Sequence, residues 1–141
     1  MPGIFHHQFT VPAEAIDENK HVNNVVYVQW MQDAAVLHSN AQGCTREAYE
    51  RLRGTWVVRT HKIDYLRPTF AGDRIQMLTW ISNLRRSSSL RKYKFLRESD
   101  QAVLAQAETD WVYVNMETGR PCAIHDEVKD AFEVVPAEDE P

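Results

Sequence analysis

Only one long stretch of the chain repeats its apolar residues at spacings of three and four. Five others repeat them at a spacing of two. From Asn24 to about Gly43, the positions Tyr27, Val28, Met31, Ala34, Ala35 and His38 fall on one helical face, with Gln29, Gln32, Asp33 and Ser39 largely off it. Asn23 is placed to cap this helix, because its side-chain oxygen accepts a backbone N–H that the first turn leaves free. Gly43 is a natural stop. Period-two alternation predicts strands over residues 4–11, 56–65, 74–84, 88–97 and 103–113.

In the second strand Val57, Arg59, His61, Ile63 and Tyr65 alternate with Trp56, Val58, Thr60, Lys62 and Asp64. In the fifth, Val103, Ala105, Ala107, Thr109, Trp111 and Tyr113 make a face almost clean of charge, which should lie against the helix. Shorter helices are predicted over 45–53, stopped by Gly54, and over 125–132. Turn composition marks 67–73, 85–87, 98–100 and 115–121. One strand before the long helix and four after it, as near-continuous neighbours, predict an α+β fold: a curved antiparallel five-stranded sheet wrapped around one long central helix. Such a sheet has free edges, and a second copy pairing there makes a homodimer the economical assembly.

Composition adjusts this picture only at its margins. The chain's 141 residues suit one domain, expected over 1–135, followed by a frayed acidic tail over 136–141. A net charge of −4 disfavours nucleic acid as a partner. Cys44 and Cys122 have no metal-ligand spacing, and no apolar run approaches a membrane span. Residues 1–10 lack the pattern of a signal peptide, so a reduced, cytoplasmic protein is expected. His6, His7, His38 and His125 show no metal spacing either, so packing or solvent roles are expected of them.

The chemistry concentrates just before the long helix. Asp17 sits in a polar loop that runs into the helix start, where free N–H groups make an electropositive end. Such an end polarises a carbonyl oxygen, while a neighbouring carboxylate attacks it or activates water. On local sequence alone, an aspartate before a helix is more commonly a surface turn residue or a partner of the helix end. A second feature is basic: Arg85, Arg86, Arg91, Lys92, Lys94 and Arg97 punctuate two strands and their turn. They read either as a solvated sheet face or as a site for phosphates, for which the arginine fork and the hydroxyls of Ser87, Ser88 and Ser89 are suited.

Three segments together, Asp17-x-x-x-His21-Val22-Asn23-Asn24-x-x-Tyr27, Asp64-Tyr65-Leu66-Arg67-Pro68 and Gly72-Asp73, resemble the hot dog-fold acyl-CoA thioesterases of the 4-hydroxybenzoyl-CoA thioesterase branch. The resemblance runs from the first strand to residue 121. It implies hydrolysis of an acyl-CoA without metal or redox cofactor, in a homodimer or a tetramer of dimers with the active site at the subunit interface. It further implies that Asp17 is the catalytic carboxylate, as nucleophile or general base, and that the Asn24 backbone N–H polarises the carbonyl.

Around these, His21 is expected to anchor the loop and Asn23 to cap the helix. Tyr27, Thr60 and His61 are pocket candidates, although adjacent strand residues face opposite ways and only one of Thr60 and His61 can look inward. Arg85, Arg86 and Ser88 are the candidates for the coenzyme A phosphates. The chain departs from the family at Lys20, where glycine is usual. A lysine resists the positive φ that glycine accepts, which predicts a reshaped loop or a lysine side chain entering the site. Two other readings remain open on sequence. One is a catalytically idle acyl-CoA-binding module, favoured by Lys20. The other is an enoyl-thioester hydratase using Asp17 with His21 as its acid–base pair.

Overall fold

The computed structural model describes residues 3–141, so the first two residues of the domain expected over 1–135 lie outside the described residues. The elements run β1 (Phe5–Thr10), α1 (Asn24–Ala41), α2 (Arg46–Leu52), β2 (Gly54–Tyr65), β3 (Arg74–Leu84), β4 (Ser88–Arg97), β5 (Val103–Asn115) and α3 (Asp126–Ala131). All strands join one antiparallel sheet in the order β1-β3-β4-β5-β2, with α1 packed on its inner face. This is the α+β hot dog arrangement expected. No helix among the described residues is long and apolar enough to cross a membrane.

Asn23 caps α1 as predicted, its side-chain oxygen accepting from Val25 N at 2.9 Å. The buried stripe of α1 is Tyr27, Met31, Ala34, Ala35 and His38. Its first half meets Ile75, Met77, Tyr93, Phe95 and Ala105 from β3, β4 and β5 in the main core. A large apolar side chain fully buried there stabilises by about 1.5–3 kcal/mol. A second cluster fills the other end, where Cys44 packs with Ile81, Tyr113, Ile124, Val128 and Phe132. Cys44 and Cys122 are free thiols.

Four features depart from the one-dimensional pattern. First, β2 and β3 follow each other in sequence without pairing: β2 pairs β5 at one edge of the sheet, so 67–73 is a crossover. That crossover passes the start of α1, where Thr69 O accepts from Val22 N at 2.8 Å and the Thr69 hydroxyl bonds Tyr27 at 2.6 Å. Second, a bulge between Val58 and Thr60 breaks the parity of β2. Trp56 therefore packs inward on Tyr113, and beyond the bulge His61 and Ile63 take over the inner face. A bulge inserts one residue and so exchanges the faces that strict alternation assigns.

Third, α2 ends at Arg53 in the left-handed region (φ 60°), before Gly54. Glycine is needed at 54 for a different reason, because a Cβ there would lie 2.3 Å from the Tyr113 hydroxyl. Fourth, the acidic tail over 136–141 contains a short 3-10 turn at Ala137–Asp139, which the pattern did not predict. Glu140 accepts from Trp80 Nε1 at 2.7 Å and from Lys92 Nζ at 3.1 Å.

Candidate active site

The loop before α1 is closed by its own backbone. Ile16 and Val22 form an antiparallel bridge, Asp17 N donates to His21 O at 3.1 Å, and Lys20 N donates to Asp17 O at 2.9 Å. Lys20 takes φ 67° and its side chain is exposed. The lysine thus adopts a left-handed conformation that glycine accepts more readily, at a cost of about 1 kcal/mol. The lysine side chain, expected either to reshape the loop or to enter the site, points instead to solvent.

Asp17 is half-buried, and its Oδ1 accepts from Asn19 N at 2.9 Å. Its other carboxylate oxygen has no hydrogen-bond partner among the described residues. His21 contributes through its main chain. Its ring Nδ1 lies 3.5 Å from Val22 O, and no hydrogen bond joins the ring to Asp17, so the acid–base pair of a hydratase is not assembled within this loop. At the helix start, Val25 N is taken by the Asn23 side chain and Val26 N by Asn23 O, while the exposed Asn24 has no hydrogen bond on its N–H among the described residues. It is a free donor of the first turn, next to the Asp17 loop. On the other side of the same residue, Asn24 O accepts from the Tyr65 hydroxyl at 2.9 Å, tying the helix start to the far end of β2.

The pocket candidates separate. Tyr27 is buried in the main core, edge-on to Trp30, Tyr65 and Phe95, and burial raises its phenol pKa. Thr60 is exposed. His61 faces inward and bonds Thr109 Oγ1 at 2.8 Å, a hydroxyl that also accepts from Tyr93 at 2.9 Å; burial lowers the pKa of this histidine.

None of the three lines the cavity of about 420 Å³ at the other end of the molecule. That cavity lies between the second half of α1 (Ala35, Val36, Ser39), α2 (Tyr49), the start of β2 (Thr55, Trp56) and the inner face of the sheet (Ile81, Arg91, Trp111). From Asn24 to Val36 the helix rises about 18 Å, so within one protomer the cavity and the Asp17 loop are well apart.

The basic cluster also separates. Arg97 pairs with Asp73 and Asp100, both at 3.2 Å, and Lys92 pairs with Glu140. Arg91 is 4% exposed and points into the interior, where Nη1 reaches His38 Nδ1 at 2.9 Å and Thr79 Oγ1 at 3.0 Å. Only Arg85 and Arg86 stay exposed without an ion pair among the described residues, with half-buried Ser88 beside them in the β3–β4 turn. Arg91 and His38 are the side chains that the sequence reading underrated. The signal was available: Ser89, Arg91, Tyr93 and Phe95 share one parity of β4, and that parity is buried.

The profile of the thioesterase-like superfamily matches residues 11–132, from the residue after β1 to the residue after α3. The chain belongs to the thioesterase-like superfamily. Among curated relatives, the chloroplastic palmitoyl-acyl carrier protein thioesterase of Cuphea hookeriana is 21% identical over 136 residues. That match covers 92% of this chain and 33% of the plant protein, so the chain spans about a third of the curated relatives it matches.

Solved structures carry the same fold. A 1,4-dihydroxy-2-naphthoyl-CoA thioesterase from Synechocystis superposes with a TM-score of 0.84 at 16% identity, covering 92% of this chain and 95% of that one. A Staphylococcus aureus protein solved in complex with CoA gives 0.86 at 21%, covering 93% and 83%. At these identities the likeness is one of fold.

Proposed function

We propose that the chain is an acyl-CoA thioesterase, hydrolysing a coenzyme A thioester to the free acid and the thiol. The observation that carries this reading is the unpaired Asn24 N–H at the start of an 18-residue helix, beside a loop that presents Asp17 with one carboxylate oxygen open. The thioester oxygen accepts from the Asn24 N–H, which stabilises the negative charge as the carbonyl carbon becomes tetrahedral. Asp17 either attacks that carbon, giving an anhydride that water then opens, or takes a proton from the attacking water. In both forms a C–O bond forms, the C–S bond breaks, and the thiolate leaves with the electron pair and is then protonated.

The active site is assembled by two copies. β2 is an edge strand, and Val57 on it and Val25 at the helix start are exposed apolar residues. If β2 pairs antiparallel with its counterpart about a two-fold axis, the Thr55 end of one strand meets the Tyr65 end of the other. Tyr65 holds the helix start and Thr55 with Trp56 borders the cavity, so pairing brings the Asp17 loop of one copy to the cavity of the other. Arg85, Arg86 and Ser88 then lie beside the cavity, since Leu84 and Ser89 on either side of their turn line it, and they receive the phosphates of coenzyme A. The assembly is a homodimer, or a tetramer of such dimers. The free thiols suit a reducing compartment such as the cytoplasm.

Subunit mixing tests the composite site. Asp17→Asn and the cavity-blocked Ala35→Phe are each expected to be inactive in thiol release from a panel of acyl-CoAs. Mixed after dissociation, they should regain activity, because each mixed dimer holds one site with both halves intact. Two inactive variants that stay inactive in a demonstrated mixed dimer would place the whole site within one protomer. Wild-type protein releasing no thiol from any member of the panel would refute the hydrolase.

A further inference from the structure

Arg91 is a buried cation with no counter-charge. No carboxylate lies within ion-pair distance of it among the described residues, and no acid lines the cavity it faces. Its Nη1 is used by His38 and Thr79, both neutral. His38 is held neutral by burial and by the arginine itself, its pKa pushed down to about 3. The nearby phenols supply no charge at neutral pH either: burial pushes Tyr49 up to about 12 and also raises Tyr93. Guanidinium stays protonated in proteins.

A buried charge without a partner is costly. The C-terminal end of α1 near His38 offsets part of it through the helix dipole. The remaining donors of the fork lie on a residue that lines a cavity otherwise rich in apolar surface, with the buried indole N–H of Trp111, also a lining residue, unpaired.

We infer that this cavity takes the acyl part of the substrate and that Arg91, on its floor, binds a second carboxylate at the far end of that acyl group. The substrate class is thus the monothioester of a dicarboxylic acid, aliphatic or aromatic. This rests on the thioesterase reading above for the reaction, whereas the recognition rests on the cavity alone. The reactive carbonyl stays at the mouth beside Thr55 and Trp56, and the distal carboxylate reaches the arginine fork, whose paired donors match its two oxygens. The volume, about 420 Å³, is that of a small-ligand site.

The test compares matched pairs: hexanedioyl-CoA with hexanoyl-CoA, and the monothioester of benzene-1,4-dicarboxylic acid with benzoyl-CoA. Wild-type kcat/KM should favour the acidic member of at least one pair by about tenfold or more, and the preferred pair tells aliphatic from aromatic substrates. Arg91→Met should remove the preference, and Arg91→Lys should keep part of it as a point charge without the fork. In parallel, free hexanedioate and benzene-1,4-dicarboxylate are titrated against the fluorescence of Trp56 and Trp111. At least one should bind wild type and Asp17→Asn alike, and not Arg91→Met.

Equal kcat/KM within both pairs, or diacid binding that survives Arg91→Met, overturns the inference and leaves the thioesterase standing. Arginine-dependent diacid binding by a protein that hydrolyses no acyl-CoA upholds the recognition and removes the thioesterase. Should Arg91→Met not fold, the wild-type pairs and Arg91→Lys decide.

Discussion

The two ends of α1 solve opposite electrostatic problems. At its start the helix leaves an N–H open to the outside, beside a carboxylate held by a short exposed turn. At its other end the protein buries a guanidinium against a neutral histidine, with no ion pair among the described residues and no acid in the cavity lining. The first end is polar, shallow and built from backbone geometry. The second is a deeper, largely apolar cleft built from side chains meeting across the sheet. A thioesterase needs both kinds of place, one where charge develops and one where the acyl group is held. Their separation along one helix keeps them apart within a protomer, and the proposed pairing at the β2 edge is what would join them.

The largest expected effect is at the helix start. Asp17→Asn should lower acyl-CoA turnover by at least about 100-fold with unchanged melting temperature, since it removes the proposed attacking or activating group and keeps the turn acceptor Oδ1. A variant with near-normal turnover would take Asp17 out of the mechanism.

At the opposite end the effect is on stability. His38 is neutral when folded, with a pKa of about 3, and unfolded histidine titrates near 6.5. Between those values the unfolded chain binds the extra proton, so stability is full above about pH 6.5 and falls as the pH drops towards 3, by a few kcal/mol in all. Urea unfolding between pH 4 and 7 should show this slope. His38→Asn, which still offers Arg91 an oxygen acceptor, should flatten it. An unchanged slope would move the acid sensitivity to other groups.

Two smaller effects refine the comparison. Arg86→Glu should raise KM for acyl-CoA by about tenfold and leave KM for a small thioester without the nucleotide nearly unchanged, because exposed arginine contributes through phosphate contact. Equal changes for both substrates would detach the β3–β4 turn from coenzyme A. Smallest is Lys20→Gly. Relieving a left-handed lysine, less the extra freedom glycine has when unfolded, should stabilise by about 0.5 kcal/mol in a urea melt without altering turnover. A large loss of activity would mean that the lysine side chain itself serves the site.

Much of this was legible in one dimension because it is local. The period of α1, its Asn23 cap and the full extents of β3 and β4 follow from neighbours within a turn or a pleat. So does the proximity of the Asp17 loop to the helix start, since Asn24 lies only seven positions after Asp17. The inward side of β4 was equally readable, because Arg91 shares its parity with Tyr93 and Phe95. A charge there looked like part of a basic surface only while it was counted with its sequence neighbours instead of its face.

Tertiary structure alone decided the rest. The pairing of β2 with β5, and so which strand is left as an edge, depends on contacts between residues some fifty positions apart, such as Trp56 with Tyr113 and His61 with Thr109. The bulge at Arg59 swaps the faces of β2 because a partner strand holds one residue fewer, which no pattern within β2 reveals. Whether Arg91 meets a carboxylate or a histidine is settled by which helix crosses over it, and that too is a property of the packed chain. Sequence fixes periodicity and caps, since these are short-range; strand order, cavity and the company of a buried charge arise only when distant segments close on one another.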